Sequence, residues 1–137
     1  MDNKEIIEFL KKIELFRGLT DDEYQMLMCC VEVKTYRAYQ FLFRENGRRE
    51  NIFIIYEGEV ELFKSNPYGV EMKLTYFSKG DFLGEGSWDT ETPHSTSART
   101  LAPTTVLTLA NEVFNKNATT TLKIFSNITR VISRRMR

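Results

Sequence analysis

The sequence predicts a mainly β fold with flanking helices: an eight-stranded jelly-roll β-barrel with N-terminal helices and a C-terminal helix. Two patterns lead to this prediction. Between Val31 and Leu109 short apolar runs alternate with turn residues, as they do in antiparallel sandwiches and barrels. On both sides of this segment, apolar residues recur at helical spacing. The chain has 137 residues, enough for one hydrophobic core, so we expect a single domain over residues 1–137.

Residues 1–30 are predicted to form the N-terminal helices. The apolar residues of segment 5–13 fall on one helical stripe. After a break at residues 16–19, Thr20 stands three positions before Glu23. This is the spacing of a capping box, in which both side chains cap the start of a helix. We expect the second helix to end near the adjacent pair of cysteines.

Residues 31–110 are predicted to form the barrel. At its start β-branched residues alternate with charged ones, which is typical of a strand. Asn46-Gly47 and the stretch from Asn66 to Gly69 are turn signals. The predicted apolar strands are 31–35, 41–43, 52–56, 60–63, 72–77, 100–101 and 106–109.

Residues 111–137 are predicted to form C-terminal helices, a short one over 111–116 and a longer one over 119–137. The longer helix carries two apolar stripes, more than one packing surface requires. The first stripe has heptad spacing and consists of Leu122, Phe125, Thr129, Ile132 and Met136; the second consists of Ile124, Ile128, Val131 and Arg135. One stripe would cover the barrel and the other would be left for a partner helix. Homodimerisation through this helix and simple packing on its own barrel therefore both stay open.

The stretch from Phe82 to Ala98, FLGEGSWDTETPHSTSA, has the chemistry of a small anion pocket built largely from backbone. Phe82 lies in the hydrophobic pair that ends a strand, and a glycine-rich turn from Gly84 to Ser87 follows. If this turn is helical, its free N–H groups point into one hollow, which suits a phosphate. Gly86 has no side chain to hold a ligand away.

Three further side chains of this stretch carry chemistry. Glu85 is unusual beside an anion pocket, because a carboxylate repels an anion unless it has another use, such as accepting hydrogen bonds from sugar hydroxyls. His94 and Ser95 stand where a cation and a hydroxyl could close over the same anion. Phosphate and sugar hydroxyls are thus the ligand groups that this stretch suits.

These residues resemble the phosphate-binding cassette of the cyclic nucleotide-binding domain family, whose members recognise cyclic AMP or cyclic GMP. The family pattern begins with G-E and ends with P-R-x-A-[ST]-V, and it aligns without a gap from Gly84 onward. The resemblance implies that Glu85 binds the ribose 2′-hydroxyl. It also implies that the amides of Gly86 and Ser87 bind the phosphate and that Ser95 lies beside it.

The resemblance extends over essentially the whole chain. It includes R-E-x-G at residues 44–47, Y-E-G-E-V at residues 56–60 and G-D-F-L-G-E at residues 80–85. Thr96 and Ser97 fall near the position where a hydroxyl helps to bind a guanine amino group in relatives.

Two positions depart from the family pattern. Tyr39 stands where the family usually has glycine, which affects the shape of one turn. His94 stands where the family has its phosphate-clamping arginine. Histidine has a reference pKa of about 6.5 and lacks the planar fork of arginine. We therefore expect either weakened, pH-dependent binding of a cyclic nucleotide or a pocket that has drifted to another ligand.

Two functional hypotheses follow. In the first, the chain is a regulatory module that senses a cyclic nucleotide, with cyclic AMP favoured over cyclic GMP, and repositions its C-terminal helix. In the second, it is a degenerate scaffold that binds no nucleotide and works through protein contacts of that helix. Glu85 favours the first hypothesis and His94 favours the second.

Composition argues against other classes. The 19 basic and 19 acidic residues cancel, so no overall field indicates nucleic acid or membrane as a partner. The chain shows no DNA-binding helix-turn-helix after its last helix, and we expect no direct binding of nucleic acid. Adjacent cysteines, the lack of a bilayer-length apolar run and the polar N-terminus favour the cytoplasm. With a single histidine we expect no metal site, no catalytic residues and no enzymatic activity.

Overall fold

The computed structural model describes residues 1–88 and 91–135; for Ser87 and Trp88 it describes the backbone only. The α-helices are α1 (Asn3–Leu10), α2 (Asp21–Leu27) and α3 (Ala118–Arg135). The strands are β1 (Val31–Tyr36), β2 (Phe41–Phe43), β3 (Asn51–Glu57), β4 (Val60–Ser65), β5 (Glu71–Phe77), β6 (Phe82–Leu83), β7 (Ser97–Thr100) and β8 (Thr104–Ala110). Short 3₁₀ turns lie at Glu14–Phe16, Glu85–Trp88 and Asn111–Asn115.

The strands form two four-stranded sheets, with the orders β1-β8-β3-β6 and β2-β7-β4-β5. The pairs β3–β6, β2–β7, β4–β7 and β4–β5 are antiparallel. The predicted mainly β fold with flanking helices is confirmed. For the predicted eight-stranded jelly-roll barrel, the structure shows two antiparallel sheets, each with its own edge strands, and no closed barrel among the described strands. Apolar runs and turn signals indicate where strands lie, but edge pairing depends on contacts that they do not encode.

A buried apolar cluster joins the two sheets. It contains Phe53, Ile55, Leu83 and Val106 from one sheet, and Val60, Phe77 and Ala98 from the other. Burial of a side chain such as Phe53 contributes about 1.5–3 kcal/mol. The aromatic ring of Phe43 is half-buried against this cluster, which places β2 next to the cassette described below.

The chain divides into two compact units, residues 33–108 and residues 1–32 with 109–137. The first contains most of the two sheets and all of the cassette. The second contains the three α-helices. The expected single domain over 1–137, with boundaries near residues 30 and 110 and the cassette at 82–98, stays a prediction.

The helical unit shows the predicted capping box at the start of α2. The backbone N–H of Glu23 donates to Thr20 Oγ1, and the backbone N–H of Thr20 donates to Glu23 Oε1 at 2.9 Å. Glu23 also accepts hydrogen bonds from Lys123 Nζ at 2.6 Å and from the hydroxyl of Thr120. The carboxylate of Glu23 therefore both caps α2 and links α2 to α3 through hydrogen bonds.

The two stripes of α3 differ in exposure. Ile124, Ile128 and Val131 of the second stripe are buried, and Asn127 beside them donates to the carbonyls of residues 15 and 17 at 2.9 Å. Leu122 of the first stripe is 69% exposed. Met136 lies outside the described residues.

Tyr39 adopts the left-handed backbone conformation, with φ of +64°. Non-glycine residues rarely adopt it, because Cβ crowds the neighbouring carbonyl. This explains in physical terms why a glycine is expected at this position. Its side chain is 70% exposed, so no packing opposes a change there.

Cys29 and Cys30 are both free thiols, and Cys30 is buried. Among the described residues, none of the helices has both the length and the apolar character needed to cross a bilayer.

Candidate functional site

Strand β6 leads the chain into the cassette. Phe82 is buried and pairs with Ile54 of β3, so this end of the cassette is fixed to the core. Gly84 follows with φ of +76°. A Cβ at Gly84 would lie 3.0 Å from the carbonyl oxygen of Asn51 and 3.4 Å from the ring of Phe53. Both the backbone conformation and the close packing therefore require glycine.

The turn Glu85–Trp88 is helical, of the 3₁₀ type, as the anion-pocket prediction needs. Glu85 is its first residue and is half-buried. Ser87 contributes its backbone to the turn. Asp89 and Thr90, which continue the predicted cassette, lie outside the described residues.

The guanidinium of Arg49 lies directly against Gly86. A Cβ placed on Gly86 would be 2.4 Å from Arg49 Nη1 and 3.1 Å from its Cζ. Arg49 Nε donates a hydrogen bond of 2.9 Å to the carbonyl oxygen of Thr92. A side chain from outside the cassette thus brings a positive charge to the glycine turn and bridges the turn to the segment before His94.

His94 is buried, with 4% of its surface exposed. Its imidazole stacks on the ring of Phe43, with centroids 3.9 Å apart and planes inclined by 13°. Burial and the nearby charge of Arg49 lower the pKa of His94 to about 4. The imidazole is therefore neutral near pH 7, and a role for His94 toward a bound anion stays a prediction.

The loop between β2 and β3, residues 44–50, sets the position of Arg49. The backbone N–H of Gly47 donates to the carbonyl of Arg44 at 2.9 Å, and Asn46 has φ of +66°. Two backbone hydrogen bonds tie this turn to His94: His94 N–H donates to Gly47 at 2.9 Å, and Asn46 N–H donates to the carbonyl of His94 at 2.8 Å. The R-E-x-G segment is therefore one side of the site.

Comparison with known proteins identifies the family of the chain. A family model described as "Cyclic nucleotide-binding domain" matches residues 33–120, which is more than half of the chain. The chain belongs to the cyclic nucleotide-binding domain family. The matched residues contain every part of the cassette.

Relatives of this cyclic nucleotide-binding domain are distant. It is 26% identical over 116 residues to the cGMP-dependent protein kinase egl-4 of Caenorhabditis briggsae, covering 83% of this chain and 16% of the kinase. It is 24% identical over 128 residues to the Cyclic AMP receptor protein of Thermus thermophilus, covering 93% of this chain and 59% of that protein. The chain thus spans less than two thirds of the length of either relative.

A solved structure shows the same fold. The regulatory domain of Toxoplasma gondii protein kinase A, crystallised with cAMP, superimposes with a TM-score of 0.83 over 96% of this chain and 50% of that one, at 16% identity. At that identity the likeness concerns the fold alone.

The structure gives the three polar residues after His94 different surroundings. Ser95 is exposed and Thr96 is half-buried. Ser97 is buried, and its Oγ accepts a hydrogen bond of 2.9 Å from the backbone N–H of Glu45. Ser97 is therefore already used to hold the β2–β3 loop of the cyclic nucleotide-binding domain.

Ser97 also lines an open cavity of about 450 Å³. The remaining lining residues are Phe41, Arg44, Glu45, Asn46, Phe63, Ser65 and Glu71. Among the predicted site residues whose side chains the structure describes, Ser97 alone lines this cavity. Beside it, Glu61 is buried and accepts hydrogen bonds from Arg99 Nε at 2.9 Å and Lys73 Nζ at 3.0 Å. These hydrogen bonds link β4 to its neighbours β5 and β7, so the charge cluster serves to hold the sheet together.

Two contacts bring the predicted site residues together, and both involve side chains that the sequence did not single out. Phe43 stacks on His94 and would lie 3.9 Å from a Cβ on Gly84. Arg49 contacts Gly86, and its positive charge helps to lower the pKa of His94. The only sequence signal for Arg49 is a pair of arginines after the Asn46-Gly47 turn. Such a pair is typical of exposed, solvated loops and does not indicate a binding site. Among the described residues, no three or more His, Cys, Asp and Glu side chains form a group that could hold a metal ion.

Proposed function

We propose that this chain is a regulatory module that binds a cyclic nucleotide and carries out no catalysis. One observation carries the proposal: in a chain of this family, the glycine turn of the cassette has a guanidinium against its backbone, at Gly86. A cyclic phosphate is an anion that both turn amides and a guanidinium bind well.

In this proposal the nucleotide is held by its phosphate and its sugar. The amides of Gly86 and Ser87 donate to the phosphate, and Ser95 lies beside it. The half-buried carboxylate of Glu85 accepts from the ribose 2′-hydroxyl. A hydrogen bond to a charged group contributes roughly 1.5–3 kcal/mol, so loss of either contact lowers affinity by one to two powers of ten.

Cyclic AMP and cyclic GMP are both candidate ligands, and we propose cyclic AMP as the first to test. The Thermus thermophilus relative is named for cyclic AMP, but the Caenorhabditis briggsae relative is a cGMP-dependent kinase. Thr96 is half-buried and Ser97 is engaged by Glu45, which leaves Thr96 as the better placed hydroxyl for a guanine. Both nucleotides belong in the experiment.

Sensing requires that the nucleotide binds two arrangements of the chain with different free energy. We propose that α3 is the element that changes position. Within the helical unit, α3 is joined to the N-terminal segment through Lys123 with Glu23 and through Asn127 with the carbonyls of residues 15 and 17. Any displacement of α3 would therefore involve the N-terminal helices as well. The free thiols Cys29 and Cys30 fit a reducing location such as the cytoplasm.

The second candidate function is a scaffold that binds no nucleotide. The buried, neutral His94 favours it, because the cassette itself then carries no clamping cation. The exposed Leu122 on α3 offers a contact for a protein partner or for a second copy of the chain.

Calorimetric titration with cyclic AMP and with cyclic GMP tests the proposal. The variants are Glu85→Gln and, as a matched control, Glu50→Gln, which changes an exposed carboxylate of the β2–β3 loop. Saturable binding that weakens at least tenfold in Glu85→Gln and stays unchanged in Glu50→Gln supports the nucleotide module. No heat from either nucleotide at millimolar concentration, in a protein that unfolds cooperatively, would leave the scaffold as the function.

A further inference from the structure

The guanidinium that lies against the glycine turn of the cassette belongs to the β2–β3 loop, outside the cassette. We propose that Arg49, in the β2–β3 loop, is the side chain that binds the nucleotide phosphate, in place of residue 94. The inference rests on the proposed function, since it names the residue that holds the same ligand.

The position of the guanidinium is the first argument. Arg49 Nη1 and Nη2 would lie 2.4 Å and 3.7 Å from a Cβ on Gly86. An anion held by the amides of the Glu85–Trp88 turn therefore has this guanidinium as a neighbour. The hydrogen bond to the Thr92 carbonyl uses Nε, so both terminal nitrogens face the glycine turn with donors suited to a tetrahedral anion.

The burial of His94 is the second argument. Its ring is stacked on Phe43, and only 4% of its surface is exposed. To reach a phosphate as a cation it would have to leave this stack and take up a proton beside Arg49. Arginine keeps its charge at every pH of interest, so Arg49 needs neither step.

Preorganisation is the third argument. The loop of Arg49 is tied to His94 by two backbone hydrogen bonds, and the side chain is tied to Thr92 by a third. A cation that is already ordered loses little conformational entropy on binding. The neighbouring Arg48 is exposed, whereas Arg49 is half-buried. The chain thus supplies its own matched control, an arginine with the same charge one position away.

The experiment is calorimetric titration of cyclic AMP, and of adenosine as a probe without phosphate, into the wild type and the variants Arg49→Ala, Arg49→Gln and Arg48→Ala. We expect cyclic AMP affinity to fall about ten- to hundredfold in both Arg49 variants and to change less than about twofold in Arg48→Ala. Adenosine affinity should be the same in all four proteins. Thermal unfolding of each variant verifies that the protein is folded, and Arg49→Gln keeps a donor for the Thr92 carbonyl.

A double-mutant cycle completes the test. His94→Arg should restore most of the cyclic AMP affinity lost in Arg49→Ala but add little to the wild type, because both arginines would supply the same contact. Equal loss of cyclic AMP and adenosine binding in Arg49→Ala would show a purely structural role and overturn the inference. Wild-type binding that Arg49→Ala leaves intact would overturn the inference alone. A folded wild type that binds neither nucleotide would overturn the proposed function and the inference together.

Discussion

The imidazole of His94 lies nearly parallel to the ring of Phe43, with centroids 3.9 Å apart. This stack buries the one histidine of the chain in the site where a charged clamp was expected. The one imidazole of the chain is thus held in its neutral form near pH 7, and the burial has consequences for both stability and binding.

The first prediction concerns acid stability. The pKa of His94 is lowered to about 4 in the folded state by burial and by Arg49, while an unfolded histidine titrates near its reference value of about 6.5. Between these two values the unfolded chain binds a proton that the folded chain does not. The neutral stack therefore stabilises the fold fully above about pH 6.5, and this contribution is lost as the pH falls toward 4.

At about 1.4 kcal/mol per pKa unit, the difference between about 6.5 and about 4 amounts to roughly 3–4 kcal/mol, of which about 2–3 kcal/mol is lost between pH 7 and pH 4.5. Urea denaturation at pH 7, 5.5 and 4.5 measures it. His94→Gln removes the titrating group, so its free energy of unfolding should fall less steeply over the same range. Equal slopes for the wild type and His94→Gln would show that folding does not lower the pKa of His94.

The second prediction concerns the pH dependence of nucleotide binding. With Arg49 charged and His94 neutral throughout, the affinity for cyclic AMP should change less than about threefold between pH 6 and pH 8. Calorimetry at both pH values measures it. Binding that tightens at pH 6, and loses this dependence in His94→Gln, would instead restore His94 as a protonatable clamp.

The contrast between His94 and Thr20 shows what the sequence can and cannot predict here. The capping box of Thr20 and Glu23 depends on residues three positions apart, and its local pattern predicted it correctly. The stack of His94 on Phe43 and the contact of Arg49 with Gly86 join residues that are distant in sequence. Neither leaves a local periodicity or motif, so only the fold reveals them. The same holds for the sheet edges, which local patterns could not distinguish from a closed barrel.

The third prediction concerns the carboxylate that joins α2 to α3. Hydrogen bonds from Lys123, Thr120 and the Thr20 backbone lower the pKa of Glu23 to about 2. Glu23→Gln keeps the shape but loses the charge, and we expect it to lower the free energy of unfolding by about 1–2 kcal/mol at pH 7. Since the folded pKa is depressed, the charged form stabilises the fold above about pH 4.5, and this contribution declines as the pH falls toward 2.

Chemical denaturation of Glu23→Gln and of Asp22→Asn, an exposed acidic residue on the same helix, tests this prediction. Asp22→Asn should change stability by less than about 0.5 kcal/mol. An equal decrease in the free energy of unfolding in both variants would mean that the negative charge near the start of α2 explains the effect. The contact of Glu23 with α3 would then contribute nothing specific.

The fourth prediction concerns the turn between β1 and β2. Tyr39 has φ of +64° and is 70% exposed, so its side chain gains little from packing while its backbone is strained. The left-handed conformation costs a non-glycine residue about 1–2 kcal/mol, and glycine loses roughly 0.5–1 kcal/mol through the greater freedom of the unfolded chain. Tyr39→Gly should therefore stabilise the fold by about 0.5–1 kcal/mol.

Asn46, with φ of +66°, is the matched control, because asparagine tolerates this conformation better and Asn46→Gly should gain less stability. Urea denaturation of both variants decides the matter: a Tyr39→Gly protein less stable than the wild type would mean that the exposed ring contributes more than the strain it imposes.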